Sequence, residues 1–65
     1  MKFLVGITEG GRRVAIDMSR IYKMEQMWTG HKYSDTTIVY YSIKGENETI
    51  RVKGDLLDVI EVMRK

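Results

Sequence analysis

The chain contains no cysteine and a single histidine, His31. The first absence excludes a disulfide framework, and the two together leave no ligand set for a structural zinc ion. Long apolar runs are missing as well. Phe3-Leu4-Val5-Gly6-Ile7 falls well short of a membrane span and of a signal-peptide core with its cleavage site, so a cytoplasmic protein without a membrane partner is expected. There is no glycine-rich phosphate loop, and no pair of carboxylates is placed for glycosidase chemistry. Lys53-Gly54-Asp55 puts an acid at the start of a helix, where a phosphate would otherwise sit. His31, Ser34 and Asp35 share one loop, whereas a triad needs members that converge from separate supports. No catalytic residue, metal site or cofactor is expected, and the chain reads as non-enzymatic.

What is present is a globular composition in a short chain. Hydrophobic residues make up 43% and charged residues 31% of the 65 positions, far from the regime of disorder. One domain, 1–65, is expected, at a size where folding removes only about 60% of the unfolded chain's surface from water. Without disulfide or metal, the ordinary remaining support is self-association, so a homo-oligomer is predicted. Net charge is +2, but its distribution is polarised. Residues 12–32 carry five basic side chains (Arg12, Arg13, Arg20, Lys23, Lys32) against two acidic (Asp17, Glu25), or +3. Residues 46–61 carry two (Arg51, Lys53) against five (Glu46, Glu48, Asp55, Asp58, Glu61), or −3. Opposed halves of this kind suit either a partner or a subunit contact.

The strongest local pattern is Thr36 to Lys53. Thr37, Val39, Tyr41 and Ile43 alternate with Ile38, Tyr40 and Ser42, residues 44–48 break the run, and Thr49 to Lys53 alternates again, which predicts a β-hairpin. A first hairpin is predicted from Lys2 to Ile16 around Glu9-Gly10-Gly11, with Phe3, Val5, Ile7, Val14 and Ile16 toward the core and Gly6 at a close approach of another backbone. Residues 17–28 admit two readings. Ile21, Met24 and Trp28 fall on one helical face behind an Asp17 or Ser19 cap. As a strand, the stretch instead lines up Tyr22, Met24, Gln26 and Trp28 on one side. A turn at Asp17 to Arg20 followed by a strand gives the simpler meander and is the reading adopted. Thr29 to Asp35 reads as a polar loop. From Asp55, an N-cap with Asp58 three residues on, Leu56, Val59, Ile60 and Met63 form the apolar stripe of a C-terminal helix. The fold class is therefore α+β, a bent antiparallel meander of about five strands with one C-terminal helix.

Gly11, Val14, Asp17, Ile21, Thr37, Ile38, Gly45, Val52 and the Leu56 to Val62 helix carry a resemblance to the small flagellar-operon proteins of the FlbD type. The same layout is similar to LytTR-type DNA-binding domains and to uncharacterised small phage proteins. The resemblance implies the meander-plus-helix fold, and the Thr29 to Asp35 insertion departs from its compact pattern.

Two functional readings follow. One helix covers one sheet face, so some of Leu4, Tyr22, Met24, Met27, Trp28 and Tyr40 must remain outside it. Aromatic and Met side chains are enriched in interface cores, so Tyr22, Trp28, Tyr40 and Met24 are the expected partner-binding group, for a second copy or another protein, in a regulatory or inhibitory role. The alternative is nucleotide or nucleic-acid binding through Arg12, Arg13, Arg20, Lys23, His31 and Lys32, with Tyr33 among the stacking platforms.

Overall fold

The computed structural model describes residues 2–64. Its strands are β1 (Phe3–Ile7), β2 (Arg13–Asp17), β3 (Ile21–Glu25), β4 (Thr36–Ile43) and β5 (Glu46–Lys53), and one helix, α1 (Leu56–Arg64), follows them. A single 3-10 turn, Met18–Arg20, separates β2 from β3. All pairing is antiparallel, in a two-stranded sheet β1-β2 and a three-stranded sheet β3-β4-β5. This is the expected α+β meander. Among the described residues no helix is long and apolar enough to cross a membrane.

The β4-β5 ladder runs from Thr36↔Lys53 to Ile43↔Glu46. The turn is shorter than residues 44–48: only Lys44 (φ 51°) and Gly45 (φ 83°) lie outside the ladder, while Asn47 and Glu48 pair with Ser42 and Tyr41. Positive φ at both central residues is the primed-turn geometry whose twist matches the flanking strands.

Thr8 N–H donates to Arg12 O at 2.8 Å at one end of the first hairpin, and Met18 N–H donates to Lys2 O at 3.1 Å at the other. The two sheets meet where Thr8 bridges Val52, beside an exposed Arg51–Glu9 ion pair at 3.8 Å that carries little weight. Gly6 sits at this crossing. A Cβ there would lie 3.3 Å from both Cβ and Cγ1 of Val52, so the close approach is to a side chain of β5 rather than to backbone.

That crossing overturns the expected orientation of β1. Leu4, 2% exposed, joins Ile16, Val39, Val52 and Val59 in the core, while Phe3, Val5 and Ile7 point outward at 48%, 55% and 46% exposure. Strand alternation puts Leu4 and Gly6 on one side and Phe3, Val5 and Ile7 on the other. Only the side that carries a glycine fits against Val52.

Residues 21–25 form a strand, as adopted. Asp17 caps the short 3-10 turn instead of a helix: its Oδ1 accepts from Ser19 N–H at 3.0 Å and from Ser19 Oγ at 2.8 Å. A register shift between Ile21↔Tyr41 and Lys23↔Tyr40 bulges β3 at Tyr22. Ile21 and Met24 therefore both pack against the core, and Tyr22 is 56% exposed. The expected alignment of Tyr22 with Met24 on one side is broken by this extra residue.

At α1, Asp55 Oδ1 accepts from Leu57 N–H at 3.1 Å, the predicted cap, and Val59 is buried while Leu56, Ile60 and Met63 are half-buried. The helix start is clasped to β4. Thr37, fully buried, donates its hydroxyl to Gly54 O at 2.9 Å, and Gly54 N–H donates to Asp35 O at 2.8 Å. Gly54 has φ 126°, which a side chain would strain.

Candidate functional site

The expected partner-binding residues separate into three places. Tyr22 and Tyr40 lie on the outer face of the three-stranded sheet with ring centroids 6.3 Å apart. Trp28 pairs instead with Tyr33, edge to face at 5.1 Å, and both are 59% exposed. Met24 turns inward. The Trp28–Tyr33 pair caps an excursion that its own polar groups hold closed, with Ser34 N–H donating to Met27 O at 2.7 Å and Thr29 N–H to Lys32 O at 2.9 Å. Gln26 Nε2 also donates to Ser34 O, at 2.6 Å.

Electrostatics on the outer face centre on Tyr40. Its hydroxyl donates to Glu25 Oε1, while Lys23 Nζ stands 4.9 Å from the Tyr40 ring centroid and 3.6 Å from Glu25 Oε2. The Tyr40 hydrogen bond, aided by Lys23, holds the Glu25 carboxyl below its ordinary range. The same bond holds the proton on Tyr40 and raises the phenol. Asp17 is likewise lowered, chiefly by its two bonds from Ser19 and then by Arg20, whose Nε lies 3.8 Å away.

The basic residues are dispersed. Arg12 and Arg13 stand at the turn end of β2 and Arg20 beyond its other end, Lys23 on β3, and His31 and Lys32 in the excursion beside Tyr33. Arg20 and Lys23 each have a carboxylate neighbour.

The surface that sequence reasoning placed inside is the more coherent one. Phe3, Val5 and Ile7 form an outward row on β1, with Ala15 opposite Val5, Asp17 opposite Phe3 and Arg13 opposite Ile7. Val62, 49% exposed, borders this row across a shallow cleft of about 100 Å³ between β1 and α1. The one signal available for this orientation was Gly6, since a glycine on a strand marks the side on which something passes close.

β2 is also the outer strand of its sheet. The bonds from Thr8 to Arg12 and from Met18 to Lys2 fix which β2 residues face β1: Arg12, Val14, Ile16 and Met18. By the alternation of an antiparallel ladder, Arg13, Ala15 and Asp17 direct their backbone groups to the open side. That side borders a half-open cleft of about 300 Å³ between β2 and the β4-β5 hairpin, its apolar lining from Val14, Ala15, Ile16, Tyr41, Ile43 and Ile50 and its charged lining from Asp17 and Arg20.

Chemically, these surfaces offer apolar contact, strand pairing and paired charges. Among the described residues no three His, Asp or Glu side chains gather as metal ligands. Comparison with protein-family models, with curated proteins and with solved structures finds no match to this chain.

Proposed function

We propose that the chain is a non-enzymatic interaction module that works as a homo-oligomer and offers an apolar face to a protein partner, in a regulatory or inhibitory role. The observation that carries this reading is the outward row Phe3, Val5 and Ile7, each about half exposed, continued by Ala15 and Val62. The largest apolar patch on a typical monomer is roughly 300–600 Å² and often marks an interaction site. Here such a row lies on a strand next to an unpaired edge, so apolar contact and backbone pairing are available side by side. The small core points the same way: five buried apolar side chains among the described residues and a sequence without cysteine leave association as the available support. The test is the mass of the chain by light scattering across a wide concentration range. A mass that rises with concentration supports the module; one chain's mass throughout overturns it.

A further inference from the structure

We infer that the second copy docks on β2, strand to strand and antiparallel about a twofold axis through Ala15, so that two hairpins join into one four-stranded sheet. This deepens the homo-oligomer reading and rests on it.

Three features of one five-residue strand agree on this register. The first is backbone parity. The groups that β2 directs to its open edge belong to Arg13, Ala15 and Asp17, and pairing centred on Ala15 sets Ala15 against the partner's Ala15 and Arg13 against the partner's Asp17. These are the same residues whose N–H groups lack a strand partner, so each meets an acceptor in the second copy. A register displaced by one residue would instead bring up the groups already bonded to β1.

The second feature is charge. The strand reads Arg-Val-Ala-Ile-Asp, with a cation at one end and an anion at the other. Antiparallel pairing about its centre places each Arg13 directly opposite an Asp17, on the outer face and twice by symmetry. Opposite charges in directly facing positions favour a register, and like charges oppose it. A parallel arrangement in register would set Arg13 against Arg13. An isologous contact needs a self-complementary patch, and this strand is one by sequence.

The third feature is space. Ala15 at the axis carries the smallest side chain on that face, so the strands can approach without a clash. The twofold axis stands perpendicular to the sheet, so the open clefts beneath β2 in the two copies face each other. Tyr41, Ile43 and Ile50 of each chain gain apolar cover where each copy alone leaves about 300 Å³ open. On the opposite face the two Phe3, Val5 and Ile7 rows lie on one continuous sheet surface and double the apolar area offered to a further partner.

The experiment is sedimentation equilibrium from low-micromolar to millimolar concentration on the wild type, Ala15→Pro, Arg13→Asp and Asp17→Asn. Ala15→Pro removes the central N–H, which β1 does not use, and proline is tolerated at such an open edge. Asp17→Asn keeps an oxygen to accept from Ser19. Far-UV circular dichroism establishes that each variant is folded. The expected result is a wild-type dimer, no dimer for Ala15→Pro, and association weakened about tenfold or more by Arg13→Asp, where two attractive pairs become two repulsive ones. Asp17→Asn weakens it less, and the dimer loosens with added salt. A wild type that dimerises while folded Ala15→Pro and Arg13→Asp dimerise equally well overturns this interface and leaves the homo-oligomer reading standing. A wild type monomeric at every concentration overturns both.

Discussion

Thr37 is the buried polar residue on which the junction of β4, β5 and α1 turns. It is fully buried, and its hydroxyl donates to Gly54 O at 2.9 Å. The first helical bond runs from Val59 N–H to Asp55 O at 3.0 Å, so Gly54 O lies one residue outside the helix ladder and depends on Thr37. Thr37→Val keeps the shape of the side chain and removes the donor. Leaving the part-buried Gly54 carbonyl unpaired costs at most about 1–3 kcal/mol, and the hydroxyl-to-methyl exchange returns about 0.8 kcal/mol as apolar burial. The net expectation is a loss of about 0.2–2.2 kcal/mol, and each kcal/mol lost lowers Tm by about 4–8 °C in a domain of this size. Thr37→Ser keeps the donor and loses only the buried methyl, about 1 kcal/mol. Thr37→Ala loses both and should fall by the sum. Urea denaturation of the three variants measures these values through the shift in midpoint at constant slope. A Thr37→Val chain as stable as the wild type would show that the hydroxyl is merely tolerated in an apolar site, and the junction would then rest on packing alone.

Leu4→Ala empties a site that is 2% exposed and should lose about 2–5 kcal/mol, enough to unfold much of a domain this small, whereas Phe3→Ser should change stability by about 0.5 kcal/mol or less. Equal losses in thermal melts would mean that the orientation of β1 is wrong. Tyr40→Phe removes the hydroxyl that holds Glu25 low, so the Glu25 carboxyl should titrate nearer its ordinary range when followed by NMR. Because Glu25 is lowered in the folded chain, its contribution to stability is present above the ordinary carboxylate range and is lost as pH falls through its own lowered value. Tyr40→Phe should flatten that acid limb. Tyr40 is raised, so its contribution is present below the ordinary phenol range and disappears as pH climbs through the raised value. Lys44→Asn replaces a residue at φ 51° by one that tolerates the left-handed region, and should raise stability by about 0.5–1 kcal/mol in denaturant melts.

Both hairpins and the helix were legible because their determinants are local. Alternation over Thr36 to Lys53, glycines at positions 11 and 45, and Asp55 ahead of an apolar stripe each act within a few residues of where they sit. The orientation of β1 was not legible. Its residues are apolar on both sides, so period-2 reading is indifferent between them, and Val52, far along the chain, decides the matter. The bulge at Tyr22 escaped for a related reason: one extra residue in a strand leaves no mark on composition, yet it exchanges the faces of everything before it. The candidate partner group was built on an unbroken strand through Trp28, so it came apart into Tyr22 with Tyr40, Trp28 with Tyr33, and Met24 half-buried against the core. Arg13, Ala15 and Asp17 drew notice only as charges and a spacer, because which backbone groups face an open edge depends on strand order.

The first hairpin is held to the rest of the chain by Leu4 and Ile16, by contacts of β1 with β5 and α1 that include the Thr8–Val52 bridge, and by one exposed ion pair, and its β2 strand carries an unpaired edge. Pairing at that edge adds bonds to this hairpin directly. Binding that requires the folded strand stabilises the fold by mass action, by about 2.7 kcal/mol when the partner concentration is a hundred times its Kd. For a domain of this size that corresponds to a rise in Tm of about 10 °C or more between dilute and concentrated solution. Hydrogen exchange at Arg13 and Ala15 should slow over the same range, since their amides are the ones the second copy occupies, while those of β4 and β5 change only as global stability does. In Ala15→Pro both effects should vanish together. A melting temperature that climbs with concentration while the Arg13 amide continues to exchange freely would mean that the copies meet on another surface, with the β1 row of Phe3, Val5 and Ile7 the next place to look.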